Sequence, residues 1–404
     1  MAESLDFKTA RQILLDRVEP IATERAELFQ CAGRVLAECI TAAENVPPFD
    51  RSPYDGYAFR SVDSASASRE HPVTLKILEE VPAGAVPTKE CVEGTAVKIL
   101  TGAPIPEGAD AVVMYERTEY TADKVTIFSP AKPGENIIYA GEDVKKGTVL
   151  TEAGGSIDAG TIGTLASQGI HHPVVYKVPK VGIISTGNEV IEVDQELAPG
   201  KIYNSNRYTL SAALKEIGCE PVFLGIAGDK VEVIANTLTR GLEECDAILT
   251  TGGVSVGDYD LTPAAMELAG VEVLFRGVAL KPGMACAYGM KDGKLICGLS
   301  GNPASSLINF YAVALPALKK LAGLKNPVPE EFDVLLNNGF KKKSPGTRLL
   351  RGTLDLSQGE VRMTLPQEQG NVMLNSLIGC DMMAIVPAGT GPLEAGTKLK
   401  GFML

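Results

Sequence analysis

The stretch ILTTGGVSVGDYD, residues 248–260, holds the densest group of residues that could do chemistry. An apolar, β-branched run ends at Gly252-Gly253, and Ser255, Asp258 and Asp260 come within the next eight residues. Paired glycines let backbone N–H groups approach an anion closely, and nearby carboxylates could hold a cation or a ligand hydroxyl. Three other apolar runs end similarly. VGIIS (181–185) leads to Thr186, Gly187, Asn188 and Glu189, and VFLGIA (222–227) leads to Gly228 and Asp229. KLICGL (294–299) leads to Ser300, Gly301, Asn302 and Pro303. The GNP turn opens a helical pattern, whose free N–H groups and dipole favour a phosphate. Acids beside phosphate-binding backbone imply Mg²⁺, which takes one or two carboxylates together with phosphate oxygens.

Each signal has a plainer reading. Gly-Gly after a strand is usually a tight turn. A lone Asp such as Asp229 is more often a helix cap than a ligand. Asp258 and Asp260 alone are consistent with solvated loop charge. Four strand ends carrying such groups together favour a site, because ligands of open α/β sheets bind outside the carboxyl ends of the strands.

The elements that must position these residues can be read from hydrophobic spacing. Between 180 and 325, strands alternate with helices. Leu210, Ala213, Leu214 and Ile217 mark one helix, capped by the Asn204-Ser205-Asn206 cluster and stopped by Gly218. Ile234, Leu238 and Leu242 mark the next, and LTPAAMELA begins another with Pro263 in its first turn. GNPASSLINFYAVALPALKKLAG reads as a long helix. This order predicts a doubly wound, mainly parallel sheet. Residues 7–18 read as an amphipathic helix, while 45–179 has the texture of short strands and turns. From 328 onward the runs FDVLL, RLLRGTL, VRMTL, MMAIVP and KLKGF predict a small β barrel.

Composition bounds the function. A chain of 404 residues, 45% hydrophobic and 22% charged, is globular and long enough for two to four domains. A net charge of −12 argues against nucleic-acid binding, and KKK at 341–343 is the only basic run. No apolar run reaches the roughly 18 residues of a membrane span, and the first 20 residues lack a secretory core. No membrane partner and a cytoplasmic location are therefore expected. Eight cysteines without a CxxC pair, and only three histidines, leave oxygen ligands as the expected metal donors. Without GxxxxGK[ST], or GxGxxG after the first strand, P-loop and dinucleotide chemistry are disfavoured.

Two stretches outside the α/β pattern, PPFDRSPYDGYAF (47–59) and LTGAPIPEGADAVV (100–113), are elaborate for plain turns. Together with STGNEV, TGGVSVGDYD, KPGMACAYG and GLSGNPASS, in this order and spacing, they resemble the MoeA family of molybdopterin molybdenumtransferases, the gephyrin E domain included. The resemblance covers nearly the whole chain. It implies insertion of molybdenum from molybdate into adenylylated molybdopterin, in molybdenum cofactor biosynthesis, with Mg²⁺-dependent release of AMP. It also implies a homodimer with four parts per chain. These are an α/β domain shared with the adenylylating enzymes (MoaB/MogA-like; 1–26 and 180–326), a linking domain (27–46 and 141–179), a β-rich domain (47–140) and a C-terminal barrel (327–404). The implied cleft lies between the α/β and barrel domains of one chain and the β-rich domain of the other.

The motifs carry roles with them. The resemblance implies that Asp55 and Thr101 come from the second chain and that Asp143 of GEDV is a further acid tied to activity. Glu189, Asp229 and Asp260 match acids around the pterin phosphate and metal. Lys281 of KPG and Arg351 of LLRGTL match cations near the oxyanion, and Asn371 of QGN falls where the family often has Ser. Four positions depart from the pattern: Arg51, Asn188, Ser300, and Met284 where KPGKP has a second Lys. They leave molybdate or tungstate, and housekeeping enzyme or paralogue, open. The alternatives are a molybdopterin adenylyltransferase and a non-enzymatic gephyrin-like scaffold; on the leading reading, a partner in transient contact is the molybdopterin adenylyltransferase.

Overall fold

The computed structural model describes residues 5–254, 261–357 and 359–404. Its chain divides into two compact units. One comprises the chain up to Glu38 with 153–162 and His172–Leu404, the other Cys39–Glu152 with Gly163–His171.

The larger unit is built on a six-stranded sheet. Its spatial order is Glu220–Ala227, Lys180–Thr186, Ala247–Thr251, Lys294–Leu299, Cys286–Lys291 and Glu272–Arg276. The first four strands are parallel and the last two antiparallel. Parallel strands covered on both faces need apolar side chains at successive positions. Accordingly Ala247–Thr251 is buried throughout, and Lys180–Thr186 at every residue but the first. Ile183 and Ile184, adjacent in the chain, belong to different cores. Ile183 packs with Leu210 and Leu214 of Ser205–Glu216, and with Phe7 and Leu14 of Phe7–Arg17. Ile184 packs with Leu238 of Val231–Glu244 and Met266 of Leu261–Leu268. That is the doubly wound, mainly parallel arrangement expected. The two antiparallel strands are not predicted by the sequence pattern. Their runs are broken by charge and glycine, and Gly289 is needed because a Cβ there would sit 2.8 Å from the Glu272 carbonyl oxygen.

The C-terminal strands Phe332–Leu336, Arg348–Asp355, Arg362–Thr364, Met382–Val386 and Lys398–Met403 close into a barrel. Leu350 faces the barrel core, while its neighbour Leu349 joins Met383 and Phe402 in the α/β core. Alternation along a strand thus seats the barrel on the sheet domain.

The smaller unit carries its own six-stranded sheet, ordered Ala111–Met114, Gly56–Phe59, Thr95–Ile99, Val73–Val81, Lys124–Ile127 and Thr118–Tyr120. Tyr57 and Phe59 face one core and Ala58 the other. Part of the 47–59 stretch, read as a loop, is therefore strand. Among the described residues, no helix is long and apolar enough to cross a membrane.

Candidate active site

The carboxyl ends of the parallel strands open into a cavity of about 690 Å³. Its walls include Thr186, Gly187 and Glu189 after the first strand, Asp229 after the second, Gly252 and Gly253 after the third, and Ser300 to Pro303 after the fourth. Four separate strand ends meet there. Ser255, Asp258 and Asp260 lie outside the described residues.

Sheet register brings the loops together. Thr186 pairs with Ala227, so the Gly187-Asn188 turn lies beside Gly228-Asp229. The Asn188 N–H donates to Asp229 Oδ2 at 3.1 Å, and the Asp229 N–H donates to Asn188 Oδ1 at 3.4 Å. Asp229 is not the helix cap. Lys230 occupies the cap position of Val231–Glu244, without a side-chain cap bond. Glu189 folds back over Gly187 (φ +128°), where a Cβ would lie 2.6 Å from its carboxylate. A side chain at 187 would push the acid away, so glycine is required.

Gly252 and Gly253 take φ of +99° and +63°. A Cβ on Gly252 would meet Thr186 Oγ1 at 2.5 Å, and one on Gly301 would touch the Gly252 Cα at 3.5 Å. The two glycine turns thus face each other closely. Not every amide there is free. The Gly252 N–H donates to the Leu299 carbonyl at 2.9 Å, whereas those of Gly253 and Gly301 donate to nothing among the described residues. At the GNP turn the Asn302 N–H donates to Ser300 Oγ at 3.2 Å, and the Ser305 N–H to the Asn371 carbonyl at 3.1 Å.

The remaining wall includes residues that the sequence did not single out as ligands, notably Ile202, Tyr203, Ala285 and Val372. Asn204 and Asn206, read only as a capping cluster, also line the cavity. Asn204 does cap its helix, and its Oδ1 accepts from the buried Ser185 hydroxyl at 3.0 Å. It also donates to Glu192 at 2.8 Å, and Glu192 is ion-paired with Arg207. Asn206 donates to the Gly301 carbonyl at 2.9 Å. The available signal was position, since both come directly after Ile202–Tyr203, the strand paired with Val190–Ile191 beside Glu189.

The cations behave differently. Lys281 is exposed, its N–H donating to the Thr347 carbonyl at 2.9 Å and its carbonyl accepting from Leu349 at 3.0 Å. Its ammonium has no partner among the described residues. Arg351 is 1% exposed. Its Nε donates to Ser376 Oγ at 2.8 Å, and its Nη2 to the Gly370 carbonyl at 3.0 Å, the Met373 carbonyl at 3.4 Å and the same Ser376 hydroxyl. Burial pushes its pKa down from the ordinary arginine value. Arg351 therefore secures the loop whose Asn371 accepts from Ser305 and whose Val372 lines the cavity. Neither cation is among the lining residues. Met284 is 59% exposed beside the Lys281 loop.

In the smaller unit, Asp55 Oδ1 accepts from the Thr101 N–H at 2.7 Å and from its hydroxyl at 2.8 Å. The backbone bond first, then the hydroxyl, holds the Asp55 pKa below the ordinary carboxylate value. No hydrogen bond among the described residues joins Asp143 to this pair; its N–H donates to the Val46 carbonyl at 3.0 Å. The Arg51 backbone pairs with Ile138 in both directions.

Fold and geometry define a protein in which the carboxyl rim of a parallel α/β sheet opens into a cavity, with a barrel seated on that sheet. Residues 5–169 match the family model described as "MoeA N-terminal region (domain I and II)", and residues 182–320 the "Probable molybdopterin binding domain". The chain is 38% identical to the molybdopterin molybdenumtransferase of Bacillus subtilis, covering 95% of this chain and 90% of that one. It is 36% identical to the enzyme of that name from Staphylococcus epidermidis, over 96% and 92%. A crystal structure of a molybdopterin biosynthesis MoeA protein from Pyrococcus horikoshii superposes with a TM-score of 0.84, at 32% identity and 100% coverage of both chains. The chain belongs to the MoeA family of molybdopterin molybdenumtransferases, in molybdenum cofactor biosynthesis.

Proposed function

We propose that this protein inserts molybdenum from molybdate into adenylylated molybdopterin and releases AMP. The observation that carries the reading is the meeting of Glu189, Asp229, Gly252-Gly253 and Gly301–Pro303 around one cavity. The N–H groups of Gly253 and Gly301, unpaired among the described residues, suit phosphate oxygens. Pinned amides of this kind stabilise charge without reorganising during reaction.

Mg²⁺ is part of the proposal. No cluster of three or more metal-ligating side chains occurs among the described residues. Two rim carboxylates completed by substrate phosphates are a donor set that Mg²⁺ prefers. Glu189 and Asp229, with Asp260, would hold it, and it would neutralise charge on the phosphates. The chain itself orients the pterin phosphate with its amides and supplies Lys281 as the cation toward the oxyanion, while Arg351, buried and bonded to the 370–376 loop, would act there only by holding that wall. Catalysis on this reading is mainly positioning and charge stabilisation. The four-part division of the chain belongs to the same reading, as does a homodimer in which Asp55 and Thr101 serve a second copy's site, with Asp143 in support.

The test is incubation of the protein with adenylylated molybdopterin, Mg²⁺ and either molybdate or tungstate, monitoring AMP and the incorporated metal. AMP release dependent on both Mg²⁺ and molybdate is expected. Preference for tungstate would reassign the oxyanion. ATP consumption with molybdopterin alone would favour an adenylyltransferase instead.

A further inference from the structure

The segment after the GNP turn is not one regular helix. Pro303–Asn309 is α-helical, Phe310–Ala314 is a π turn in which the Leu315 N–H reaches back to Phe310, and Leu315–Leu321 is α-helical again. Single π turns inside helices recur at functional sites, where they re-aim the residues on either side. The residue directly before this one is Asn309, a polar side chain with no exposure.

Asn309 Nδ2 donates to the Gly283 carbonyl at 2.6 Å, and its Oδ1 accepts from the Tyr288 hydroxyl. Tyr288 is itself fully buried and stacks on Phe275 at 5.0 Å, so the acceptor side of the amide is fixed. Gly283 has φ +108°, and a Cβ there would lie 3.1 Å from the Asn309 Cβ and 3.3 Å from the Ser305 carbonyl oxygen. The loop therefore lies directly against the helix. Two residues earlier, Lys281 is bonded through both backbone groups to the edge of the barrel strand Arg348–Asp355. The loop is clamped at both ends, between barrel and helix.

Ser305, one helical turn before Asn309 and on the same face, donates its N–H to Asn371. One short helix thus begins at the Gly301 turn, holds the Asn371 loop by its first turn and holds the Lys281 loop by Asn309. We propose that Asn309, fixed by Tyr288, is a positioning residue that sets where the Lys281 ammonium stands relative to the Gly301 turn. It thereby governs affinity for the oxyanion substrate. This rests on the functional reading above.

The test compares the full-length protein with Asn309→Leu and with the double variant Tyr288→Phe/Asn309→Leu. The double variant avoids leaving the buried Tyr288 hydroxyl without an acceptor, so that only the Gly283 carbonyl loses its donor. Two readouts are taken at matched melting temperature: hydrogen exchange of the 281–286 backbone, and KM for molybdate against KM for adenylylated molybdopterin. Faster exchange in 281–286 is expected, with KM for molybdate raised about 10- to 100-fold and that for the pterin substrate unchanged. Adding Lys281→Met to Asn309→Leu should then cost little more. Wild-type exchange in both variants would overturn the latch, and faster exchange with an unchanged molybdate KM would overturn its role in oxyanion affinity. A wild-type protein without molybdate-dependent turnover would sink the functional reading instead, leaving the exchange result to judge the latch.

Discussion

The rim of the parallel sheet and the Asp55–Thr101 pair each fix a carboxylate by sheet register, with different yields. At the rim, Thr186 opposite Ala227 sets Asn188 beside Asp229. In the smaller unit, Gly56 opposite Ile99 in an antiparallel pair sets Asp55 beside the Thr101 turn. Each acid takes an N–H from a loop more than 40 residues away in the chain, at a separation of 41 for Asp229 and 46 for Asp55. Parallel strands point their carboxyl ends the same way, so four loops collect on one edge and enclose a cavity. An antiparallel pair places one strand's start beside its neighbour's end, so it gathers two loops. Topology, more than the acid itself, decides how many groups can converge.

The largest effects should come from the acids at the rim. Asp229→Ala and Glu189→Ala, both at exposed positions, should leave stability nearly unchanged and lower AMP release by about 10²- to 10³-fold. Steady-state turnover with adenylylated molybdopterin measures this. Wild-type rates in either variant would remove that acid from the site and reduce the rim to a folding feature.

Arg351→Met separates a binding cation from a structural one. Its guanidinium satisfies two carbonyls and the Ser376 hydroxyl in the interior. Losing it removes their charged donor and leaves only the weaker bonds within the 370–376 loop, at a cost of about 2–4 kcal/mol. Denaturant unfolding should show that loss, whereas Lys281→Met, at an exposed side chain, should show almost none. Equal stability of the two variants would mean that Arg351 is free to serve a ligand alone. Gly252→Ala should cost less, about 1–3 kcal/mol, because φ of +99° and the 2.5 Å approach to Thr186 Oγ1 exclude a side chain.

The sequence disclosed the rim because buried parallel strands write themselves as unbroken apolar runs, and VGIIS, VFLGIA, AILTT and KLICGL all do. The residues just beyond each run then fall on one edge. Cys286–Lys291 and Glu272–Arg276 were hidden because their pattern is interrupted, and they owe their place to a two-sided fit around Gly289. Arg351 is a different case. A strand arginine is indistinguishable in sequence from a surface cation, and only the closed barrel with its 370–376 loop buries it. Asn204 and Asn206 were legible as caps, but their second duty at the cavity wall depends on a neighbouring strand end. Asp55 and Thr101 were visible only through the resemblance, since a Pro-rich turn and a DG step do not by themselves announce a hydrogen-bonded acid.

The smallest effect concerns that pair and tests whether register or the hydroxyl holds the acid. Thr101→Val keeps the backbone N–H and removes the Oγ1 donor, leaving one of the two bonds to Asp55 Oδ1. The Asp55 pKa, depressed first by the N–H and then by the hydroxyl, should rise toward the ordinary carboxylate value and stay below it. Because the folded-state pKa is depressed, the acid's contribution to stability is present above the unfolded-state pKa and is lost as pH falls through the folded-state value. Thr101→Val should narrow that acid-side window and lower stability near neutral pH only slightly, because the acid is exposed to solvent. Carboxyl NMR titration of Asp55 in the two proteins reads it directly. An unchanged titration would mean that the Thr101 N–H alone fixes the acid, making antiparallel register sufficient there, as parallel register is at Asn188.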